Sequence, residues 1–244
     1  MAEKIRTTPI IFFMTTTSNS IPGLNQSTTK VILLSAGVLL AWSAWSSYTV
    51  AGPITASIIT YGLYLFYWIY ASYSKNPLVI RLIVFGTVAG ILELVTDHYL
   101  VSVINSLVYP GKEAMIWSSP AYMPLAWSNV LLQLSFIGVL LTSRFGLAKA
   151  SIILCIAGGM YIPTYEHLAK DAGWWWYNNN TAMVMNAPLY VIICEALISL
   201  SLPVILNYSE HNKLAKTVWL GILEGIWILF SAWLAFTVVS VVGQ

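Results

Sequence analysis

The residues with the most chemical potential in this chain are acids placed where acids are costly. Glu93, Glu166, Glu195 and Glu224 each sit inside a long apolar run, and Asp97 follows Glu93 by four positions with His98 beside it. Positions four apart on a helix share a face, so Glu93 and Asp97 form a pair. Gly86 and Gly90 lie on that same face, and such a small-xxx-small spacing lets a second helix approach closely. The pair therefore looks into a helix bundle. Two carboxyls this close in a low dielectric do not both ionise easily, so one is expected to keep its proton near neutral pH. A protonated carboxylic acid in a dry cavity is a general acid. The competing role for the pair is structural, hydrogen-bonding neighbouring helices.

Helix direction brings further groups to the same level. Span three runs outward in the topology given below, so Glu93 falls near mid-membrane and Asp97 nearer the outside. Glu166 and His167 fall at the outer end of span five, and Glu195 lies about two turns below Pro188 in span six. Glu93, Asp97, Glu166 and Glu195 are expected to share one outward-opening pocket as its catalytic groups. Glu224 comes from the cytoplasmic side in span seven and is expected below the pocket, as a structural hydrogen-bonding group. An aromatic mouth surrounds the acids: Trp117, Tyr122, Trp127, Tyr177 and the consecutive Trp174, Trp175 and Trp176. An interfacial belt accounts for some of these rings. Three successive tryptophans point in different directions, however, so at least one closes over the interior. Aromatic faces above a cavity also stabilise cations. Trp127, Tyr165, Trp174, Trp175, Trp176, Tyr190 and Asn186 are the candidate substrate-binding residues.

No metal is expected. There are three histidines, and His211 falls on the cytoplasmic side. Neither Glu-x-x-His spacing nor a Cys/His cluster occurs. Cys155 and Cys194 lie within apolar runs and read as packing residues. A metal, if held, would fall to Glu93, Asp97, His98, Glu166 and His167. No cofactor is expected either: the chain lacks a Gly-rich phosphate loop, a Gly-x-Ser-x-Gly elbow and an Asp-rich diphosphate motif. Span seven has no lysine for a retinal Schiff base.

The scaffold for these groups follows from composition. Of 244 residues, 58% are hydrophobic and 8% charged, with a mean hydropathy of +0.77; soluble domains carry about 25% charged residues. So few charges cannot cover a globule in water, and lipid must solvate most of the exterior. Apolar runs of roughly 20 residues without strand-like alternation then specify membrane-spanning helices rather than a barrel. A net charge of +2 with no basic stripe excludes nucleic acid as a partner.

Punctuation by Ala51-Gly52-Pro53, Lys75-Asn76-Pro77 and Tyr109-Pro110-Gly111 divides the chain into an all-α bundle of seven spans. They cover about 31–50, 54–72, 78–103, 120–142, 150–168, 188–206 and 218–242. Residues 1–29 form a Thr/Ser-rich cytoplasmic tail whose Phe12 and Phe13 touch the membrane surface, and residues 30–244 form a single transmembrane domain. The tail and the even-numbered connections hold Lys4, Arg6, Lys30, Lys75, Arg81, Arg144, Lys149, Lys213 and Lys216, nine of the eleven Lys and Arg. Only Lys112 and Lys170 fall on the other side. The positive-inside rule then places the N-terminus in the cytoplasm and the C-terminus outside. No internal repeat stands out by eye, so nothing suggests an inverted-repeat transporter.

Three stretches carry a resemblance: Ser119-Pro120-Ala121-Tyr122-Met123-Pro124-Leu125-Ala126-Trp127, Tyr161 to His167 followed by Gly173 to Tyr177, and Asn186-Ala187-Pro188-Leu189-Tyr190 leading to Glu195. With Gly90 to Asp97 they resemble an uncharacterised group of polytopic membrane proteins of bacteria and archaea, which implies one shared outer-facing site and no particular reaction. A looser similarity, in architecture and intramembrane acids only, is to the small seven-helix integral membrane terpene cyclases, which protonate isoprenoid epoxides or alkenes.

Three functions are compatible with these residues. In the first, a membrane enzyme acts on an apolar lipid or isoprenoid: Glu93 or Asp97 gives the proton, and Glu195 and Glu166 orient it or take it up. The second is a non-catalytic subunit or assembly factor that presents the Trp-rich loop to a membrane-protein partner. The third is a proton-coupled transporter or channel with Glu224, Glu195, Glu93, Asp97 and Glu166 as its ladder.

Overall fold

Inside hydrocarbon a helix satisfies every backbone group within its own segment, and the computed structural model of the chain is built on that solution. It describes residues 21–207 and 213–242. The expected membrane contacts of Phe12 and Phe13, the charges Lys4 and Arg6, and the placement of His211 lie outside the described residues. The helices are α1 (Gln26–Tyr48), α2 (Ile54–Ser74), α3 (Pro77–His98), α4 (Met123–Phe145), α5 (Leu147–Asp171), α6 (Leu189–Asn207) and α7 (Leu214–Val242). All seven are long and apolar enough to cross a membrane. The protein is an all-α, multi-pass seven-helix bundle.

Two helix starts show how local chemistry sets the boundaries. Helix α1 begins ahead of its apolar run because Asn25 caps it, accepting from Thr28 N at 2.9 Å. Asn76 caps α3 by accepting from the backbone of Leu78 and Val79, with Pro77 in the first turn. The Asn76 amide also donates to Gly23 O at 2.9 Å and to Thr28 Oγ1 at 2.8 Å, tying the start of α1 to the start of α3. At its far end α3 widens into a π-helical turn, Tyr99–Val103, before leaving the bundle.

Glycine seams set the close helix pairs. A Cβ on Gly86 would lie 2.7 Å from Ser128 O, and one on Gly90 would strike Pro124 O, so α3 and α4 meet backbone to backbone. Gly221 and Gly225 bring α7 equally close to Phe85, Val88 and Leu92 on the other flank of α3, and Gly158 brings α5 against Ser199 of α6. The α3–α4 seam matches the small-xxx-small expectation. Helix α1 sits at the periphery against α5 and α2.

One end of the bundle carries six two-residue strands: β1 (Leu107–Val108), β2 (Met115–Ile116), β3 (Ser119–Pro120), β4 (Trp176–Tyr177), β5 (Met183–Val184) and β6 (Ala187–Pro188). Strand β1 pairs antiparallel with β4, β2 with β3, and β5 with β6. This is the hairpin end. The opposite end carries the start of α1.

The strands expose a repeat that the sequence conceals. The order helix, three strands, helix occurs twice, as α3-β1-β2-β3-α4 and as α5-β4-β5-β6-α6. The hairpins match in register, Met115 facing Pro120 and Met183 facing Pro188. Their turns match in backbone, with φ of 57° at Trp117 and 55° at Met185. Each is closed by an equivalent bond, from Ala121 N to Ala114 O and from Leu189 N to Ala182 O. Both first helices run toward the hairpin end, so the repeat is parallel rather than inverted.

Candidate functional site

Which polar groups reach the interior is decided by helix rotation, about 100° per residue. Asp97 and Glu166 point inward, and their neighbours His98 and His167 are thereby turned outward. The seams leave a cavity of about 470 Å³ within the bundle, and Glu93, Asp97, Glu166 and Glu195 all line it. Glu93 and Asp97 are 1% and 3% exposed. Most of the remaining wall is apolar or aromatic, including Trp127, Tyr161, Tyr165 and Trp175.

Each carboxyl has its own surroundings. Asp97 accepts from Tyr109 Oη at 2.7 Å, and Glu166 accepts from Trp175 Nε1 at 2.6 Å with Tyr177 beside it. Glu93 faces Asp97 and the Trp127 side chain, and its Oε2 is buried with no hydrogen-bond partner among the described residues. Thr96 Oγ1 and Ser199 Oγ, on two further lining residues, are likewise buried and unpartnered. The loop tyrosines are held protonated. Burial above all, with Asp97 and Glu93 nearby, pushes the Tyr109 phenol well above the ordinary tyrosine value, and burial followed by Glu166 does the same to Tyr177.

The repeat is visible inside the site. Asp97 with Tyr109 corresponds to Glu166 with Tyr177. His98, whose Nδ1 meets Ser118 Oγ at 2.8 Å, corresponds to His167, whose Nδ1 meets Asn186 Nδ2 at 2.8 Å. The halves differ where the chemistry differs. Ile162 stands in the second half where Glu93 stands in the first, and Trp127 of α4 corresponds to Glu195 of α6.

Several residues lie elsewhere than expected. Trp174 is 1% exposed but turns away from the cavity, donating to Thr55 Oγ1 at 2.8 Å. Trp176 sits in β4 outside the lining, and Asn186 is engaged by His167 and Lys170. His98 stacks on Trp117 at 4.0 Å, and His167 pairs with Asp171 at 3.6 Å. Neither histidine joins the acids, so the five-residue metal set considered above is not assembled. Among the described residues no group of three His, Cys, Asp or Glu side chains is placed to hold a metal. Glu224 is fully buried outside the cavity, with Ser201 Oγ at 3.3 Å.

The hairpin end, where an outward mouth was expected, is largely covered. There the cavity-lining residues Leu107, Trp175 and Tyr190 are buried, and Tyr109 and Tyr177 are half-buried under the β1–β4 pair. Tyr109, Tyr161 and Gln133 are lining groups that the sequence did not single out. Tyr109 was legible only as part of a turn, and Gln133, which donates to Tyr67 Oη at 2.8 Å, as one polar residue in an apolar span.

A family model described as "Domain of unknown function (DUF6989)" matches residues 94–239. That is more than half of the chain, and the chain belongs to this family. The matched stretch takes in Asp97, Glu166 and Glu195 and begins one residue after Glu93. No curated protein and no solved structure matches the chain.

Proposed function

We propose that this family member is an integral membrane enzyme acting on an apolar lipid or isoprenoid by proton transfer from a carboxylic acid. The observation that carries the reading is the convergence of Glu93, Asp97, Glu166 and Glu195 on one largely apolar cavity. A carboxyl pair in such surroundings carries one charge more readily than two. Asp97, already accepting from Tyr109, suits the charged partner, and Glu93, with an unpartnered oxygen, suits the acid. The Glu93 O–H bond breaks as a C–H bond forms on an alkene, or as an epoxide oxygen is protonated and its C–O bond opens. The resulting carbocation lies among Trp127, Tyr161, Tyr165 and Trp175, whose ring faces favour positive charge and whose bulk excludes water. Glu195 takes a proton from carbon at the end, and its return to Glu93 restores the site. Glu166, fixed by Trp175, is a positioning residue. The charge bias of the connections supports a hairpin end outside the cytoplasm.

The experiment is expression of the full chain in membranes supplied with prenyl lipids and prenyl epoxides, followed by product analysis. Wild type is expected to give products that Glu93→Gln and Asp97→Asn lose, whereas Glu224→Gln, outside the cavity, retains them. Identical product profiles for all four proteins would remove the reading. A transport ladder would need Glu224 continuous with the other acids, and Glu224 is not among the residues that line their cavity.

A further inference from the structure

If the hairpin end is covered by buried and half-buried groups, the exposed part of the cavity wall shows where a molecule enters. Among the described residues, the exposed lining residues are Gly37 and Leu40 of α1 and Ala157 and Tyr161 of α5. All four belong to the two helices that flank one gap. Gly37 is central in α1, about 16 Å from either end of the helix, and Ala157 is central in α5. The gap therefore faces the hydrocarbon core, which reaches about 15 Å either side of the midplane. Neither aqueous phase borders it. A Cβ added to Gly37 would meet nothing within 4 Å, in contrast to the glycines that hold α3, α4 and α7 together. Gly37 leaves space where the other helix-contact glycines remove it.

We propose that the α1–α5 gap is a lateral portal through which a bilayer-resident molecule, a flexible hydrocarbon chain bearing one small polar or unsaturated group, passes from the membrane core into the acid-lined cavity. The portal residues carry no charge, so an ionic headgroup would be stripped of water with nothing to compensate it. A chain can pass in by way of Gly37, Leu40 and Ala157, and its polar group then reaches the unpartnered oxygens of Glu93, Thr96 and Ser199. This deepens the enzymatic reading by naming the substrate class and its route, and it rests on that reading for its purpose. The route itself is testable without turnover.

The test uses the full chain in phosphatidylcholine vesicles containing a diazirine-bearing long-chain alcohol. After photolysis, labelled residues are mapped by mass spectrometry. Wild type is expected to carry label on cavity residues such as Glu195 and Tyr165 as well as on Leu34, a lipid-facing residue of α1 that is 70% exposed. Gly37→Trp fills the gap and is expected to lose the cavity label while keeping label on Leu34. Ala157→Leu narrows the same gap from the facing helix and is the second variant should Gly37→Trp fold poorly. Glu224→Gln, outside the cavity lining, is expected to keep the cavity label. Full cavity labelling in both portal variants would overturn the route and leave the chemistry standing. Wild-type label on Leu34 with none in the cavity would overturn access from the bilayer altogether.

Discussion

The Tyr109 hydroxyl donates to Asp97 Oδ2 at 2.7 Å, joining the β1 loop to the last turn of α3. In the second half Tyr177 lies beside Glu166 while the adjacent loop residue Trp175 donates to that carboxyl at 2.6 Å, so each half of the repeat brings its loop onto its own carboxyl. The two loops in turn pair through β1 and β4, with Leu107 opposite Tyr177. The cover of the cavity is thus held by two phenol–carboxyl contacts and one short ladder.

Equivalent contacts should have comparable energetic effects. Tyr109→Phe and Tyr177→Phe are each expected to lower stability by about 0.5 to 3 kcal/mol, the span from hydrogen bonds between neutral groups to those with a charged group. Thermal unfolding in mild detergent, followed by size-exclusion chromatography, measures this. A large loss for one variant and none for the other would contradict the equivalence of the two halves.

The same tyrosines give a pH dependence whose sign follows from their direction of shift. Both phenols are held well above the ordinary value by burial. Their contribution is fully present below the unfolded-chain value of about 10 and is lost as pH rises from there through the folded-state value. Stability should therefore be flat with respect to these groups near neutrality and fall on the alkaline side. The double variant Tyr109→Phe/Tyr177→Phe should show a shallower alkaline decline than wild type, read from melting temperature across an alkaline pH series.

Two kinds of glycine should respond in opposite ways. Gly86→Val and Gly225→Val force a side chain into Ser128 O or Leu92 of the facing helix. Since overpacking against side chains costs about 1 to 3 kcal/mol and backbone yields less readily, these variants are expected to lose the monodisperse folded protein. Gly37→Ala meets no atom within 4 Å and replaces a poor helix former by a good one, so it should match or exceed wild-type stability. Equal behaviour of the three variants in a detergent melting assay would refute the assignment of seam and open positions.

Orientation can be read with single cysteines in a background where Cys155 and Cys194 are alanine. A cysteine replacing Asn179, in the exposed loop after β4, should react with a membrane-impermeant maleimide added to intact cells. One replacing Lys149, near the start of α5, should react only after the membrane is opened. The reverse pattern would invert the topology and place the hairpin end in the cytoplasm.

How much of this was legible beforehand depended on whether a property belongs to a segment or to a relation between segments. Seven spans were readable because crossing hydrocarbon is a requirement on each segment by itself: enough apolar residues in a row, with breaks at Gly and Pro. The Glu93–Asp97 face and its Gly86–Gly90 seam were readable because helical periodicity makes neighbours of residues four apart. The repeat was not, since scattered matches such as His98 with His167, Tyr109 with Tyr177 and Pro120 with Pro188 are diluted by many interchangeable apolar residues between them. Only paired hairpins in equal register brought them out.

Rotation and tilt, which no single segment specifies, decided the rest. Sequence by itself placed Asp97 beside His98 and Glu166 beside His167, yet on a helix adjacent positions diverge by about 100°. Packing against α4 and α6 turned the acids inward and left the histidines to Ser118 and Asn186. The proposed lateral opening likewise depends on packing rather than on any one segment. The β1–β4 ladder covers the hairpin end, and α1, lacking a glycine seam of the kind that draws α7 onto α3, leaves its Gly37 face open beside α5.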